Sequence, residues 1–543
     1  MKDCLDLGVL AREIGLPFPA KLQQRAGRWL EGLVGTVHGR GEESEIDLFD
    51  ALRSQLIIQS RTALADYRLA RAVAARTGGK RPAAASVVDP LALQLERRAL
   101  DALYLAKRAL ARRLVRWSTR TSSRGGGGDI LAVPRQPGHL SDLLPVVRQF
   151  RERHGMTTRF GVVDSVASRR IRREGHPVVH LHALGRVRRG AAAALVRRVH
   201  DVLADPPHAA RVDLDPGELA TLGLVARSVV RVNLPDLLRV QAVVETVLRV
   251  APLRAVVVGN PYTFEGRTAA LVARSHGLPT ACIEHGSIAP RDPRWARCPV
   301  DLVCAWGSPS RDALLACGLA PKSIAVTGAP RLDEVVSPVS RSASTLEGPY
   351  LLVATSGPGD SVSLVQHLDF IARLYRAAEI CRLRFLVKLH PKDRRDHYRE
   401  AVARHPGARV ELRPASRRNT GLEIFDFLRG ARALITVTST AAVDAMVVGV
   451  PVIVVAPFET RDLPDLAYLA PDLTLQARTA DDLACIAVQA WEGAVPPSIR
   501  DGARRYSALH FANPGRAAEA AAQRIAELAW RRGEDLSPAS ARG

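Results

Sequence analysis

Aromatic side chains are scarce in this chain of 543 residues, at 5% of the total. A stacking platform for single-stranded nucleic acid needs several on one face, so no specific nucleic-acid partner is expected. Lysine is rarer still, occurring only at 2, 21, 80, 107, 322, 388 and 392, and arginine carries nearly all of the formal charge of +22. That charge suits nucleic acid, phosphorylated substrates or an anionic membrane face alike. The 7 cysteines form no C-x-x-C pair. An odd set lying mostly in apolar runs reads as reduced core residues of a cytosolic protein and argues against a zinc site. Long apolar runs are missing too: the longest, about 445–458, is broken by Gly449, Pro451 and Pro457 and is too short to span a bilayer. Met1-Lys2-Asp3-Cys4 does not open a signal peptide. The expectation is a cytoplasmic protein whose membrane contact, if any, is peripheral and on the inner face.

The chain is 47% hydrophobic, enough at this length for two or three cores. Residues 1–128 read as a basic helical extension ending in the Gly-rich linker Ser122-Ser123-Arg124-Gly125-Gly126-Gly127-Gly128. Asp89-Pro90 is a helix start. The leucines that follow it interleave with Arg97, Arg98, Lys107, Arg108, Arg112 and Arg113. Such a helix either packs on the next domain with a solvated outer face or lies on a membrane surface. From 129 onward, strands are predicted at 130–133, 160–163, 178–181, 255–259, 280–283, 302–305 and 324–327, separated by helical segments. After a polar hinge at 337–345 they recur at 350–354, 385–389, 433–437 and 452–455. Strands alternating with helices imply parallel sheets. The fold class is therefore α/β: two Rossmann-like domains facing a cleft, with an N-terminal helical extension. The domains are 129–337 on the acceptor side and 338–500 on the nucleotide-donor side, followed by a C-terminal helix and tail at 501–543.

Open parallel sheets bind ligands at the carboxyl ends of their strands, which makes the residues just after each strand the candidates. Leu386-Val387-Lys388-Leu389-His390-Pro391 places His390 there, with Pro391 ending the ladder. An imidazole at that point can donate to a phosphate oxygen, or it can be a plain turn residue. Lys388 is a nearby cation. Ser439 and Thr440, with Thr438 equally placed, follow the strand at 433–437 and precede a helix. Hydroxyls there suit either a phosphate or simple capping. Ser356 belongs to the Gly-rich turn Thr355-Ser356-Gly357-Pro358-Gly359-Asp360, an ordinary tight turn or a place where backbone approaches a ligand. It is neither a P-loop nor a G-x-G-x-x-G motif.

In the first half, Glu284-His285-Gly286-Ser287 ends a strand. His285 suits proton abstraction from an acceptor hydroxyl, and Glu284 would orient it or act as the base itself. A loop histidine satisfied locally is the plain alternative. Glu265, Arg331 and Glu459 complete the candidate cleft as a second carboxylate, a phosphate-reaching guanidinium and a sugar contact; each is equally an ordinary surface group. No metal ligands are expected. The one D-x-D string, Asp213-Leu214-Asp215, falls in a helical section away from the strand ends.

Taken in order, 256–286, Trp306-Gly307, 326–333, 388–391, 438–440 and Gly449-Val450-Pro451 resemble the landmarks of the two-domain GT-B glycosyltransferase superfamily. The likeness covers about 250–490. It is nearest to capsule and teichoic-acid enzymes: CDP-glycerol glycerophosphotransferases, polysialyltransferases and Kdo transferases. The resemblance implies that His285-Gly286-Ser287 corresponds to a His-Gly-Thr base motif, though Glu284 stands where that family has Trp. It implies that His390-Pro391 and Ser439-Thr440 hold donor phosphate. The acidic-acidic-Gly motif of bacterial sialyltransferases is not evident. Non-hydrolysing UDP-GlcNAc 2-epimerases are similar more distantly, sharing a Gly-x-x-x-x-Asp element like 328–333 and a stretch like 459–464. They carry Ser-Gly-Gly and Glu where this chain has Ser439-Thr440-Ala441-Ala442. The implied activity is metal-independent transfer of a glycosyl or polyol-phosphate group, without a cofactor. The donor would be nucleotide-activated and the acceptor a surface polysaccharide or lipid-linked. An epimerase, or a non-catalytic basic scaffold for anionic lipid or nucleic acid, are the rivals.

Overall fold

The computed structural model describes residues 128–535 apart from 136, 183–192, 194–195, 198–200, 202–213, 296, 334, 336–347, 359–361, 363, 391–392, 415–422 and 457–465, plus scattered helical positions between 25 and 64. The expected hinge at 337–345, the basic helix following 89, and Glu459 lie outside the described residues.

Seven short strands, each rich in Val, Ile, Leu or Ala, make the first sheet. They are β1 (Ile130–Val133), β2 (Thr158–Val162), β3 (Val178–His180), β4 (Ala255–Val258), β5 (Thr280–Ile283), β6 (Leu302–Ala305) and β7 (Ile324–Val326). All pairs are parallel, in the order 3-2-1-4-5-6-7. Helices cover both faces, which is why the strands read as continuous apolar runs and do not alternate. The second sheet contains β8 (Tyr350–Ala354), β9 (Phe385–Lys388), β10 (Val410–Arg413), β11 (Ala431–Thr436), β12 (Val452–Val455) and β13 (Leu475–Ala477). It too is parallel, in the order 10-9-8-11-12-13. This is the pair of Rossmann-like sheets that the GT-B resemblance implies. Each reverses its strand order once, at β1/β4 and at β8/β11, and each reversal opens a crevice at the carboxyl ends of the strands.

Helices from several parts of the chain pack on the first sheet. Helix α1 (Leu140–His154) leaves β1. Helix α2 (Pro216–Val250) starts with a capping box in which Asp215 accepts from Glu218 N–H and the Glu218 carboxylate accepts from Asp215 N–H. The described acid of the D-x-D string is thus a helix cap. Trp29, Leu30, Leu52, Leu56, Ile57 and Leu64 of the extension bury into the same layer as α2.

The chain then returns from the second lobe to the first. After α7 (Pro497–His510), a strap leads to α8 (Ala517–Asp535). Ala518, Ala521, Ala522, Ile525, Ala526 and Ala529, at helical spacing, bury against the face of the first sheet that α1 also covers. Small side chains let the two helices approach closely. The strap itself needs glycine opposite it. Gly328 has φ +94°, and a Cβ there would lie 2.0 Å from the Ala512 carbonyl oxygen. The Asp333 carboxylate accepts from Ala517 and Ala518 N–H at 3.0 and 2.8 Å and so caps α8.

Candidate active site at two strand-end crevices

At the β1/β4 reversal, the connection into α1 delivers His139, which is buried. The end of β5 delivers His285. Their rings are 4.3 Å apart between centroids and tilted by 44°. Gly259, after β4, passes so close that a Cβ would lie 2.9 Å from His139 Nδ1. His139 Nδ1 accepts from Arg135 N–H at 3.3 Å, which leaves the neutral ring's proton on Nε2. Asn260 Oδ1 accepts from Tyr262 N–H at 3.0 Å. That bond fixes the amide, so its Nδ2 donates to His285 Nε2 at 3.3 Å, with the Tyr262 hydroxyl 3.2 Å from the same nitrogen. His285 Nε2 is therefore an acceptor, and its proton lies on Nδ1. Burial, reinforced by the charges of Arg294 and Arg331, lowers its pKa to about 4 against the pull of the Gly259 backbone. Burial, His285 and Arg135 hold His139 well below the usual range as well. Both rings are neutral near pH 7.

Glu284 turns to the other side of the chain, as successive strand residues do. Its Oε2 accepts from Trp306 N–H at 2.6 Å, its Oε1 from the Ser310 hydroxyl at 2.7 Å, and its carbonyl from Trp306 Nε1 at 3.0 Å. Burial raises its pKa to about 8 in spite of the two carboxylate bonds. The carboxylate thus pins β5 to the start of α4 (Ser308–Ala316). The expected orienting of His285 falls to Asn260 and Tyr262. Glu265, in the first turn of α3 (Phe264–Ser275), is buried and lies 3.1 Å from Arg135 Nε and 3.9 Å from His182 Nε2. It gathers the loops that leave β1, β3 and β4.

At the β8/β11 reversal, the Ser356 and Thr438 hydroxyls are 3.0 Å apart and join the two loops. Tyr468 donates to the Thr438 carbonyl at 2.8 Å. Ser439 Oγ accepts from Ala441 N–H at 3.3 Å, at the start of α6 (Ala441–Val447). The Thr440 side chain makes no capping bond. His390 N–H donates to Thr355 Oγ1 and to Asp393 Oδ2, both at 3.1 Å. The Thr355 hydroxyl also donates to Asp393 Oδ2. The loops after β8 and β9 are therefore held by one carboxylate. Lys388 is largely buried; desolvation lowers its pKa, opposed by Glu423 and Asp444.

Arg331 lies between the lobes and is buried. Its Nη2 is 2.8 Å from Asp444 Oδ1 in α6 and its Nε is 4.0 Å from Asp142 Oδ1 in α1, while the guanidinium lies 4.7 Å over the Trp306 ring. It serves as a clasp between two carboxylates rather than reaching toward a phosphate. Burial pushes Asp142 up to about 7 against the Arg331 charge. Burial also raises Asp444, opposed by Arg331 and Lys388. A line of ionisable groups thus connects the crevices: the neutral His285 ring feels Arg331, Arg331 grips Asp444, and Asp444 acts on Lys388.

The sequence reading missed His139, Asn260 and Tyr262. All three follow β1 or β4, the two strands at the reversal, but only the strand order shows that those two are neighbours.

Among the described residues no helix is long and apolar enough to cross a membrane. No protein-family model matches the chain, and no curated protein matches it. Similar solved structures include a putative UDP-N-acetylglucosamine 2-epimerase from Listeria monocytogenes. That match has a TM-score of 0.48 and 14% identity, covering 74% of this chain and 98% of that one. The UDP-GlcNAc 2-epimerase from Neisseria meningitidis bound to UDP-GlcNAc has a TM-score of 0.46 and 13% identity, with 73% and 99% covered. CalG4, the calicheamicin glycosyltransferase, has a TM-score of 0.46 and 17% identity, with 76% and 100% covered.

Proposed function

We propose that this chain is a cytoplasmic nucleotide-sugar-type transferase. It moves a glycosyl or polyol-phosphate group from a nucleotide-activated donor to a surface-polysaccharide or lipid-linked acceptor. The observation that carries this reading is the pairing of two unlike strand-end crevices. One is built around a neutral imidazole with a directed lone pair, and the other around clustered hydroxyls beside His390. In the reading, an acceptor hydroxyl replaces the Tyr262 hydroxyl at His285 Nε2. The histidine takes its proton as the oxygen attacks the donor. An anionic donor raises the imidazole's pKa from its low resting value by adding negative charge. His390, Ser356, Thr438, Ser439 and Thr440 hold the departing nucleotide's phosphate, with Lys388 supplying charge from behind. His139 supports the His285 ring from beneath. Peripheral contact of the basic extension with an anionic membrane would bring the enzyme to a lipid-linked acceptor.

The test starts with a thermal-shift screen of CMP, CDP, UDP and GDP, since a nucleotide that binds the native state stabilises it. The best nucleotide should lose its shift in His390→Ala, and turnover of the matching donor should fall roughly 100-fold or more with the fold retained. No shift with any of the four, or an unaffected variant, would overturn the reading. Conversion of UDP-GlcNAc to a second sugar nucleotide without any acceptor would replace it with epimerisation.

A further inference from the structure

Beneath the second crevice, three side chains converge that the transfer chemistry does not use. His367 lies in the first turn of α5 (Leu364–Cys381), Asp393 in the loop after β9, and His397 in the 3-10 turn Arg395–Tyr398. One potential ligand atom from each lies within 4.8 Å of the other two. His367 Nε2, Asp393 Oδ1 and His397 Nδ1 are all buried, and none has a hydrogen-bond partner outside the trio. His367 is 2% exposed and the Asp393 side chain 0%. Burying polar atoms without partners is costly unless something binds them. A plain ion pair does not remove the problem. His367 Nε2 and Asp393 Oδ1 are 2.7 Å apart and satisfy each other when the ring carries its proton on Nε2, but His397 Nδ1 would still be orphaned. The two imidazoles meet edge to face, 5.4 Å between centroids at 77°, an attitude in which both can offer a lone pair to one point.

The carboxylate is divided in a way that matters. Oδ2 accepts from Thr355, His390 N–H and Tyr398, the last at 3.4 Å, while Oδ1 faces the two histidines. A metal-ligating carboxylate held by hydrogen bonds through its second oxygen has this arrangement.

We propose that His367, Asp393 and His397 bind a divalent transition-metal ion of the zinc class, with water completing the shell. Two imidazoles and a carboxylate suit that ion better than magnesium or calcium, which prefer all-oxygen sites. The ion would tie the start of α5, which follows the β8 loop, to the β9 loop. It would thus fix the spacing of Ser356 and His390 without touching a donor. Asp393 and His397 are near neighbours in the sequence, but His367 comes from α5, so the sequence alone does not show the three together.

Tag-free full-length protein is titrated with Co2+ and followed by visible absorption, and Zn2+ is then added in competition. The expected result is about one equivalent of bound Co2+ with a four- or five-coordinate spectrum, displaced by Zn2+. His397→Ala, at the partly exposed end of the trio, should bind at least about 100-fold more weakly. His405→Ala should bind like the parent, because that ring pairs with Glu379 elsewhere in the lobe. His397→Gln serves if His397→Ala fails to fold. A folded parent protein that takes up no Co2+ or Zn2+, or a folded position-397 variant with undiminished binding, overturns the proposal. These readouts do not depend on any transferase activity.

Discussion

Asp142→Asn isolates the electrostatics of the clasp between the lobes. Burial raises the Asp142 pKa from 3.8 to about 7, even with Arg331 beside it. Each tenfold change in proton affinity is equivalent to about 1.4 kcal/mol. When folding raises an acid's pKa, the folded state holds the proton more tightly than the unfolded chain. The group's contribution is then most favourable below about pH 4, declines as pH rises from 4 to 7, and is level above that. Keeping this carboxylate ionised at pH 8 costs on the order of 4 kcal/mol. Asparagine has nearly the shape of the protonated acid and no charge to desolvate. The variant should therefore match the parent near pH 4 and exceed it by several kcal/mol at pH 8. His139, His285 and His510, whose pKa values folding lowers, act in the opposite sense and lose stability on acidification. They are common to both proteins and cancel in the difference. Asp444 shares the same arginine, so the titration steps belong to the trio and not to one residue. Urea midpoints of both proteins between pH 4 and 8 measure the effect. A variant less stable than the parent at pH 8, or a difference that ignores pH, would show that Arg331 needs both carboxylates charged.

Three further outcomes follow from the geometry. Glu284→Gln should keep transfer activity within about tenfold, because the carboxylate serves Trp306 and Ser310; a loss of 10²-fold or more in kcat would make it the base after all. His285→Gln should lower kcat by roughly 10²- to 10⁴-fold with little change in Tm, and an unaltered kcat removes its proposed role. Gly328→Ala combines positive φ with a Cβ placed on the Ala512 carbonyl, and should cost more than about 2 kcal/mol in denaturant unfolding. Gly515→Ala, with φ +79° but open space, should cost only about 1 kcal/mol; equal losses at the two sites would show that the strap simply shifts away.

The interior strands were legible because a strand covered on both faces must be apolar throughout, as Ala255–Val258 and Val452–Val455 are. The strands that escaped notice, Val410–Arg413 and Leu475–Ala477, are the two edges of the second sheet. The first alternates with Glu411 and Arg413 and is only half-buried, and the second has three residues. The loop residues after strands were equally visible, since strand ends follow from strands. What those side chains face was not. Glu284 and His285 are adjacent in sequence, yet the pleat sends one to Trp306 and the other to Asn260. Arg331 looked like a free cation because its partners lie in α1 and α6, 189 and 113 residues away. The first figure is the difference 331 − 142. His139 carried no local signal at all; its neighbour His285 is brought beside it only by the strand order.

The return of α8 to the first sheet makes the two lobes topologically inseparable, since the later-made segment completes the earlier-made one. During synthesis the first lobe must wait, with the face that receives Ala521, Ala522 and Ile525 uncovered, until the whole second lobe has emerged. A fragment ending near 333 should therefore be aggregation-prone. A peptide spanning 511–535, added separately, should restore its solubility by complementation, and Ile525→Ala in that peptide should weaken the rescue by about 2–4 kcal/mol.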